Sequence, residues 1–176
     1  AELFFQPDEK NLDAAEEEMA KKDRLYDYWL YLIVPLQYFA LLIFLQSMRD
    51  TDLKTWEIIG RIFVMGLLCG IFGINVAHEL GHRHKKSEQT MAKMLLLTSL
   101  YMHFFIEHNK GHHKNVSTPE DPSSARFGEP VYTFYFRTII FSYLSAWKIS
   151  RQELQKRGLS FFDAQNEMLI FQLIQF

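Results

Sequence analysis

The chain has 176 residues, 48% of them hydrophobic, with 16 Phe, one Cys and a formal net charge of −2. That charge, with no basic stripe carrying interleaved aromatics, gives no electrostatic case for a nucleic-acid partner. A single cysteine, Cys69, excludes both a disulfide framework and a thiolate metal site.

In chain order, residues 1–27 read as a charged arm on the cytoplasmic side. Residues 8–24 hold seven acidic and four basic residues, and Ala14, Ala15, Met19 and Ala20 recur at helical spacing, the pattern of a solvated helix. Residues 28–176 read as a membrane domain, because the apolar residues are clustered in runs rather than spread as in a soluble core. Residues 28–48 are 21 positions without a formal charge, enough to cross a hydrocarbon layer of about 30 Å. A second span, 58–77, carries one charge, Arg61, near its entry end, where the long stem can reach outward. Gly66, Gly70 and Gly73 along it form a ridge suited to a neighbouring helix. Lys21, Lys22 and Arg24 precede the first span and Arg83, Lys85 and Lys86 follow the second, so both flanks are expected to be cytoplasmic.

The third apolar run, 94–106, has only 13 residues and is too short to cross. It is expected to be a re-entrant or interfacial helix that returns the chain to the same side. A turn-rich loop, 117–124, follows, then an apolar stretch, 130–147, interrupted by Arg137. The chain begins without an initiator Met and stops inside an apolar run that starts at Met168, so it is expected to be part of a longer protein. The fold class is all-α, with polytopic membrane helices and a histidine-ligated metal site at the cytoplasmic face.

That site is read from two boxes, His78-Glu-Leu-Gly-His82 and His108-Asn-Lys-Gly-His112-His113, each placed directly after an apolar run. Imidazole is the commonest metal ligand among side chains, and an i,i+4 pair puts two rings on one helical face. His78 pairs with His82 in this way, and His108 with His112. His113 is turned about 100° from His112 if the helix continues, and ligands on two bearings suit two metals better than one. Gly81 removes bulk where a second metal-bearing element presses close. Glu79, Glu107, Asp121 and its neighbour Glu120 are placed to accept hydrogen bonds from the distal N–H groups of ligand imidazoles, and His103 is placed to make a similar supporting bond. His84 reads as an exposed interfacial residue. Nitrogen-rich ligation of this kind is compatible with iron, copper, nickel or zinc. The first box also fits H-E-x-x-H, in which two histidines hold zinc and the glutamate is a general base, so a membrane zinc metallopeptidase using His78, Glu79 and His82 is the alternative reading.

With these boxes, then Ser117-Thr-Pro-Glu-Asp-Pro122 and Arg126-Phe-Gly-Glu129, the chain closely resembles the membrane-bound alkane 1-monooxygenases, relatives of the integral-membrane fatty-acid desaturases and hydroxylases. The resemblance runs from about Phe5 to the end and is most specific over residues 75–129. It implies a six-helix protein of the bacterial inner membrane with two non-haem iron ions. Such an enzyme uses O2 and electrons from rubredoxin to hydroxylate the terminal methyl of an n-alkane to a 1-alkanol. His78, His82, His108, His112 and His113 match ligand positions of the family. His84 is not carried over, and two later histidine motifs and the earliest membrane helices of the family are not in this sequence. An alkane has no polar handle, so its binding is expected from an apolar channel. Asn75, Ile74 and Ile71, with Phe72 beside them, lie on or next to the face of His78 and are the expected lining.

Overall fold

The computed structural model describes residue 11 and residues 13–176. The part of the charged arm on residues 1–10 and 12 lies outside the described residues. Every regular element among the described residues is helical. The arm contributes α1 (Ala14–Lys22), a mostly exposed helix whose start is fixed locally. The Asp13 side chain accepts from the N–H groups of Ala15 and Glu16 at 2.8 Å, and Glu16 accepts from the Asp13 N–H at 3.1 Å.

Two long helices follow as a hairpin, α2 (Leu25–Ser47) and α3 (Thr55–Gly81). Both are long and apolar enough to cross a membrane, and only 11% and 17% of their most apolar stretches are buried, whereas the core helix of a soluble protein would be mostly buried. Trp29, Leu36, Phe39, Leu42, Ile62 and Phe63 lie exposed along them, a breadth of apolar surface that water does not favour. Arg61 reaches back toward the turn and donates to the Ser47 carbonyl at the end of α2, as its position near the entry end required. Of the glycine ridge, only Gly73 meets a neighbour. A Cβ there would lie 3.5 Å from Thr98 Oγ1, while Gly66 and Gly70 face nothing within 4 Å among the described residues. The expected helix contact at those two positions is therefore absent among the described residues.

The buried core gathers at the far end of the hairpin, where Leu80, Leu95, Leu96, Ile106, Ala146 and Met168 are nearly or fully inaccessible. It is built by α4 (Lys86–Leu97), α5 (residues 103–115), α6 (Val131–Lys156) and α7 (Glu167–Gln175) packed on the last turns of α3. The third apolar run is split between α4 and α5 by a turn in which Leu100 has φ 53°, a left-handed value that a leucine adopts only when its surroundings hold it there. The break divides the run into the end of one helix and the start of the next. A Schellman turn ends α6. Gly158 takes φ 68°, its N–H bonds the Gln155 carbonyl, and the Leu159 N–H bonds the Leu154 carbonyl.

Arg83 ties three helices together just past α3. Its guanidinium bonds Asp27 of α2, Glu79 at 3.2 Å and Glu88 of α4 at 3.3 Å. Glu88 is buried and also receives the Tyr31 hydroxyl.

Candidate metal centre

His78 and His82 occupy the end of α3, one turn apart, with their Nε2 atoms 3.1 Å apart. The facing histidines come from α5, and there the register departs from an α-helix. Residues His108–His112 form a π-helical turn in which the His113 N–H bonds the His108 carbonyl five residues back. A π turn brings the fifth residue round instead of the fourth. His113, not His112, therefore lies under His108, with Nε2 atoms 3.1 Å apart. The expectation that His108 pairs with His112 while His113 turns away held only for a continuous α-helix. A second π-helical turn, Cys69–Ile74, precedes the first box.

Glycine lets this turn of α5 pack closely on α6. A Cβ on Gly111 would sit 2.7 Å from Glu107 Oε1 and 3.0 Å from Ile149 Cδ1 of α6. Gly81 does face the other metal-bearing element, as expected, but a Cβ there would meet Phe105 at an ordinary 3.6 Å.

The Nε2 atoms of His82 and His108 are 3.2 Å apart, those of His82 and His113 3.3 Å. One nitrogen from each of His78, His82, His108 and His113 falls within a 4.8 Å group. A metal with four nitrogens at about 2.0–2.1 Å in tetrahedral array requires nitrogen separations of about 3.3 Å. Burial and the neighbouring His78, His113, His82 and His112 push His108 down to about 3, and burial with His78 and His113 lowers His82. Both are neutral near pH 7, so each can direct a ring-nitrogen lone pair at a cation placed between them. The four residues thus fit a metal ion.

The fifth expected ligand, His112, lies outside that group. Its ring stacks on His108 with centroids 5.2 Å apart, and its Nδ1 is 2.8 Å from Asp121 Oδ2. An Nδ1–H donated to a carboxylate leaves Nε2 as the free lone pair, the usual setting of a metal-bound histidine. Asp121 is buried and also receives the Ser123 N–H at 2.9 Å and the Ser124 hydroxyl. Burial alone would raise its pKa, but the bonds from Ser124, Ser123 and His112 together hold it below the ordinary value.

The remaining carboxylates and His103 sit elsewhere than on ligand imidazoles. Glu79 pairs with Arg83 and is half exposed. Glu107 is buried between α5 and α6, and its Oε1 has no hydrogen-bond partner among the described residues. Burial and the Asp121 charge raise it to about 7, against His112 and a hydrogen bond from Ser145. His103 is buried, its Nε2 without a hydrogen-bond partner among the described residues and its ring between Tyr101 at 4.6 Å and Tyr143 at 5.2 Å, and burial drives its pKa down to about 4. Glu120 and His84 are exposed. Of the expected channel residues, Ile71, Phe72 and Asn75 are exposed and Ile74 packs against the core. Phe72 lines a shallow apolar cleft of about 140 Å³ with Ile33, Leu36 and Leu68.

Two contacts went unread in the sequence. Phe104, one turn before His108, stacks on its ring at 4.7 Å, and a residue four before a ligand histidine was the available signal. Arg137 forms a buried pair with Glu129, and its lone charge in an apolar run was the clue.

The metallopeptidase reading finds no support here, since Glu79 would have to face a metal-bound water and instead holds Arg83. The chain is 37% identical over 168 residues to an alkane 1-monooxygenase of Pseudomonas putida, a match covering 96% of this chain and 42% of that protein. It is 39% identical over 149 residues to alkane 1-monooxygenase 1 of Alcanivorax borkumensis, covering 85% and 37%. With alkane 1-monooxygenase 1 of Pseudomonas aeruginosa it shares 43% over 124 residues, covering 69% and 32%. The chain spans about two fifths of the length of the curated relatives it matches. The fatty acid desaturase family matches residues 54–174, which include both histidine boxes, and the chain belongs to that family.

Proposed function

We propose that this chain forms part of a membrane-bound alkane 1-monooxygenase, which hydroxylates the terminal methyl of n-alkanes to 1-alkanols with O2 and electrons from rubredoxin. The observation that carries the reading is the convergence of four imidazole nitrogens within 4.8 Å, four of their pairs at 3.1–3.3 Å, at the end of a helix apolar enough to cross a membrane. The relatives named alkane 1-monooxygenase support it.

The proposed cofactor is a pair of non-haem iron ions. His78, His82, His108 and His113 would hold one, and His112, oriented by Asp121, has the free Nε2 to contribute to the other. Bound iron supplies the activation of O2, chemistry beyond acid–base side chains. The protein's part is to orient the substrate and keep water out. The apolar face of α3 before His78, at Ile71, Phe72, Ile74 and Asn75, is the proposed channel wall, and each CH2 it buries contributes about 0.8 kcal/mol. Lys22 and Arg24 precede α2, and Arg83, Lys85 and Lys86 follow α3, so the boxes are proposed to face the cytoplasm from the bacterial inner membrane. On this reading residues 1–27 are a cytoplasmic arm and residues 28–176 belong to the oxygenase domain.

The test is metal analysis and turnover of the detergent-purified full-length protein that contains this chain. About two irons per chain and conversion of octane to 1-octanol with reduced rubredoxin are expected. Stoichiometric zinc, with peptide cleavage restored by zinc after chelation, would replace this reading with the peptidase.

A further inference from the structure

The loop between α5 and α6 must place one buried carboxylate against one imidazole. Asp121 lies 2.8 Å from His112 Nδ1, yet residues 116–130 contain no regular element, and Ser117 and Gly128 both have left-handed backbone. The bonds that Asp121 receives from Ser123 and Ser124 come from the same loop and would move with it. Only a tie to a helix can set the distance.

Arg137, in the second turn of α6, is the principal such tie, beside a longer Ser123–Ser142 hydroxyl contact at 3.4 Å. Its Nη1 donates to the Pro122 carbonyl at 2.9 Å and its Nη2 to the Ser124 carbonyl at 2.8 Å, so the segment directly following Asp121 hangs on one guanidinium at two points. Thr138 Oγ1 adds a second bond to Pro122 at 2.9 Å. The guanidinium is itself locked, because Nε and Nη2 bond the two oxygens of Glu129 at 2.7 and 2.8 Å. Both side chains are about nine-tenths buried, at 11% and 8% exposure. A buried arginine with these donors engaged in a planar fork has one orientation, and lysine cannot reproduce it.

We propose that Arg137 is a positioning residue for the metal centre: locked by Glu129, it fixes Asp121 and through Asp121 the orientation of His112. The proposal rests on the reading of His112 as a metal ligand. It explains why Arg126-Phe-Gly-Glu129, remote from the four clustered histidines, accompanies the boxes in this chain. Its function is to deliver the carboxylate that locks the arginine.

The test is a mutant cycle on the same detergent-purified full-length protein, followed by the rate of iron loss to a ferrous chelator and by the visible spectrum of the cobalt(II)-substituted form. Arg137→Lys and Glu129→Gln are expected to speed metal loss about 10–100-fold and to shift the cobalt spectrum as Asp121→Asn does, with helix content unchanged. Because the residues act in series, Arg137→Lys combined with Asp121→Asn should lose metal no faster than Asp121→Asn alone. A lowered melting temperature with an unmoved spectrum, or multiplied rates in the double variant, would reduce the arginine to a loop staple and overturn the proposal. If Arg137→Lys does not fold, Glu129→Gln and Thr138→Val, each combined with Asp121→Asn, are read the same way. Should Asp121→Asn itself leave metal loss unchanged, the ligand reading of His112 fails and the proposal with it. Acceleration by Asp121→Asn without acceleration by the Arg137 or Glu129 variants sinks the proposal alone.

Discussion

His113 Nε2 lies 3.1 Å from His108 Nε2, although the two residues are five apart on one helix. The π-helical turn between them is what converts an unfavourable α-helical spacing into a shared face. It also releases His112 to a different bearing, toward Asp121.

The packing of this turn on α6 depends on Gly111. Gly111→Ala places a methyl against Glu107 Oε1 and Ile149 Cδ1, so those side-chain ends must shift between α5 and α6. The expected cost is about 1–3 kcal/mol, with a fall in metal content, whereas Gly81→Ala should be tolerated. Thermal melts and metal analysis of both variants check this, and equal behaviour of the two would show that this packing does not need glycine.

Histidines in one stretch of sequence should separate by role. His113→Ala removes one corner of the four-nitrogen group and is expected to lose most bound metal. Exposed His84→Ala should retain the parent's metal content. Metal retained in the first variant and lost in the second would invert the assignment.

Arg83 should matter far more for stability than Glu79. Arg83→Met leaves Glu88, 3% exposed at its side chain, without its principal cation, at an expected cost of about 3–5 kcal/mol. Glu79→Gln breaks only a half-exposed pair, worth at most about 1 kcal/mol, and should keep its metal. Denaturation in mixed micelles measures both, and a Glu79→Gln protein as unstable as Arg83→Met would contradict the hub described here.

Acid should destabilise the fold in part through His103. Its pKa is about 4 when folded, against about 6.5 in an unfolded chain, so between those values the unfolded state binds more protons. Stability is therefore full above pH 6.5 and falls as the pH drops toward 4, by on the order of 3 kcal/mol at most from this group. His103→Gln should lose less stability than the parent between pH 7 and pH 4.5. Parallel pH profiles for the two proteins would remove His103 from the effect.

Much of this architecture is legible in local sequence. An uncharged run and one with a single charge, both of membrane length, specify α2 and α3, since the cost of placing backbone and charge in hydrocarbon acts residue by residue. Asp13 and Glu16 specify the start of α1, because a capping box needs only neighbours three apart. His78 and His82 are equally local, one α-helical turn apart on a regular helix end. The carboxylates were less legible. Asp121 reached its imidazole as the spacing allowed, but Glu79 was drawn to Arg83, an i,i+4 partner already visible in the chain, and Glu107 was buried against α6.

What the sequence determined by itself is therefore the all-helical class, the two long apolar helices, the two histidine boxes and their membership of one family. Each is carried by residue type and by spacing within about two turns. Only the tertiary structure decided that His113 and not His112 joins the four-nitrogen group, and that Arg137 and Glu129 hold the loop carrying Asp121. A π turn accepts poorer hydrogen-bond geometry in exchange for side-chain placement, and here it brings His113 round to His108. A buried arginine finds its partners only after the chain has folded around it.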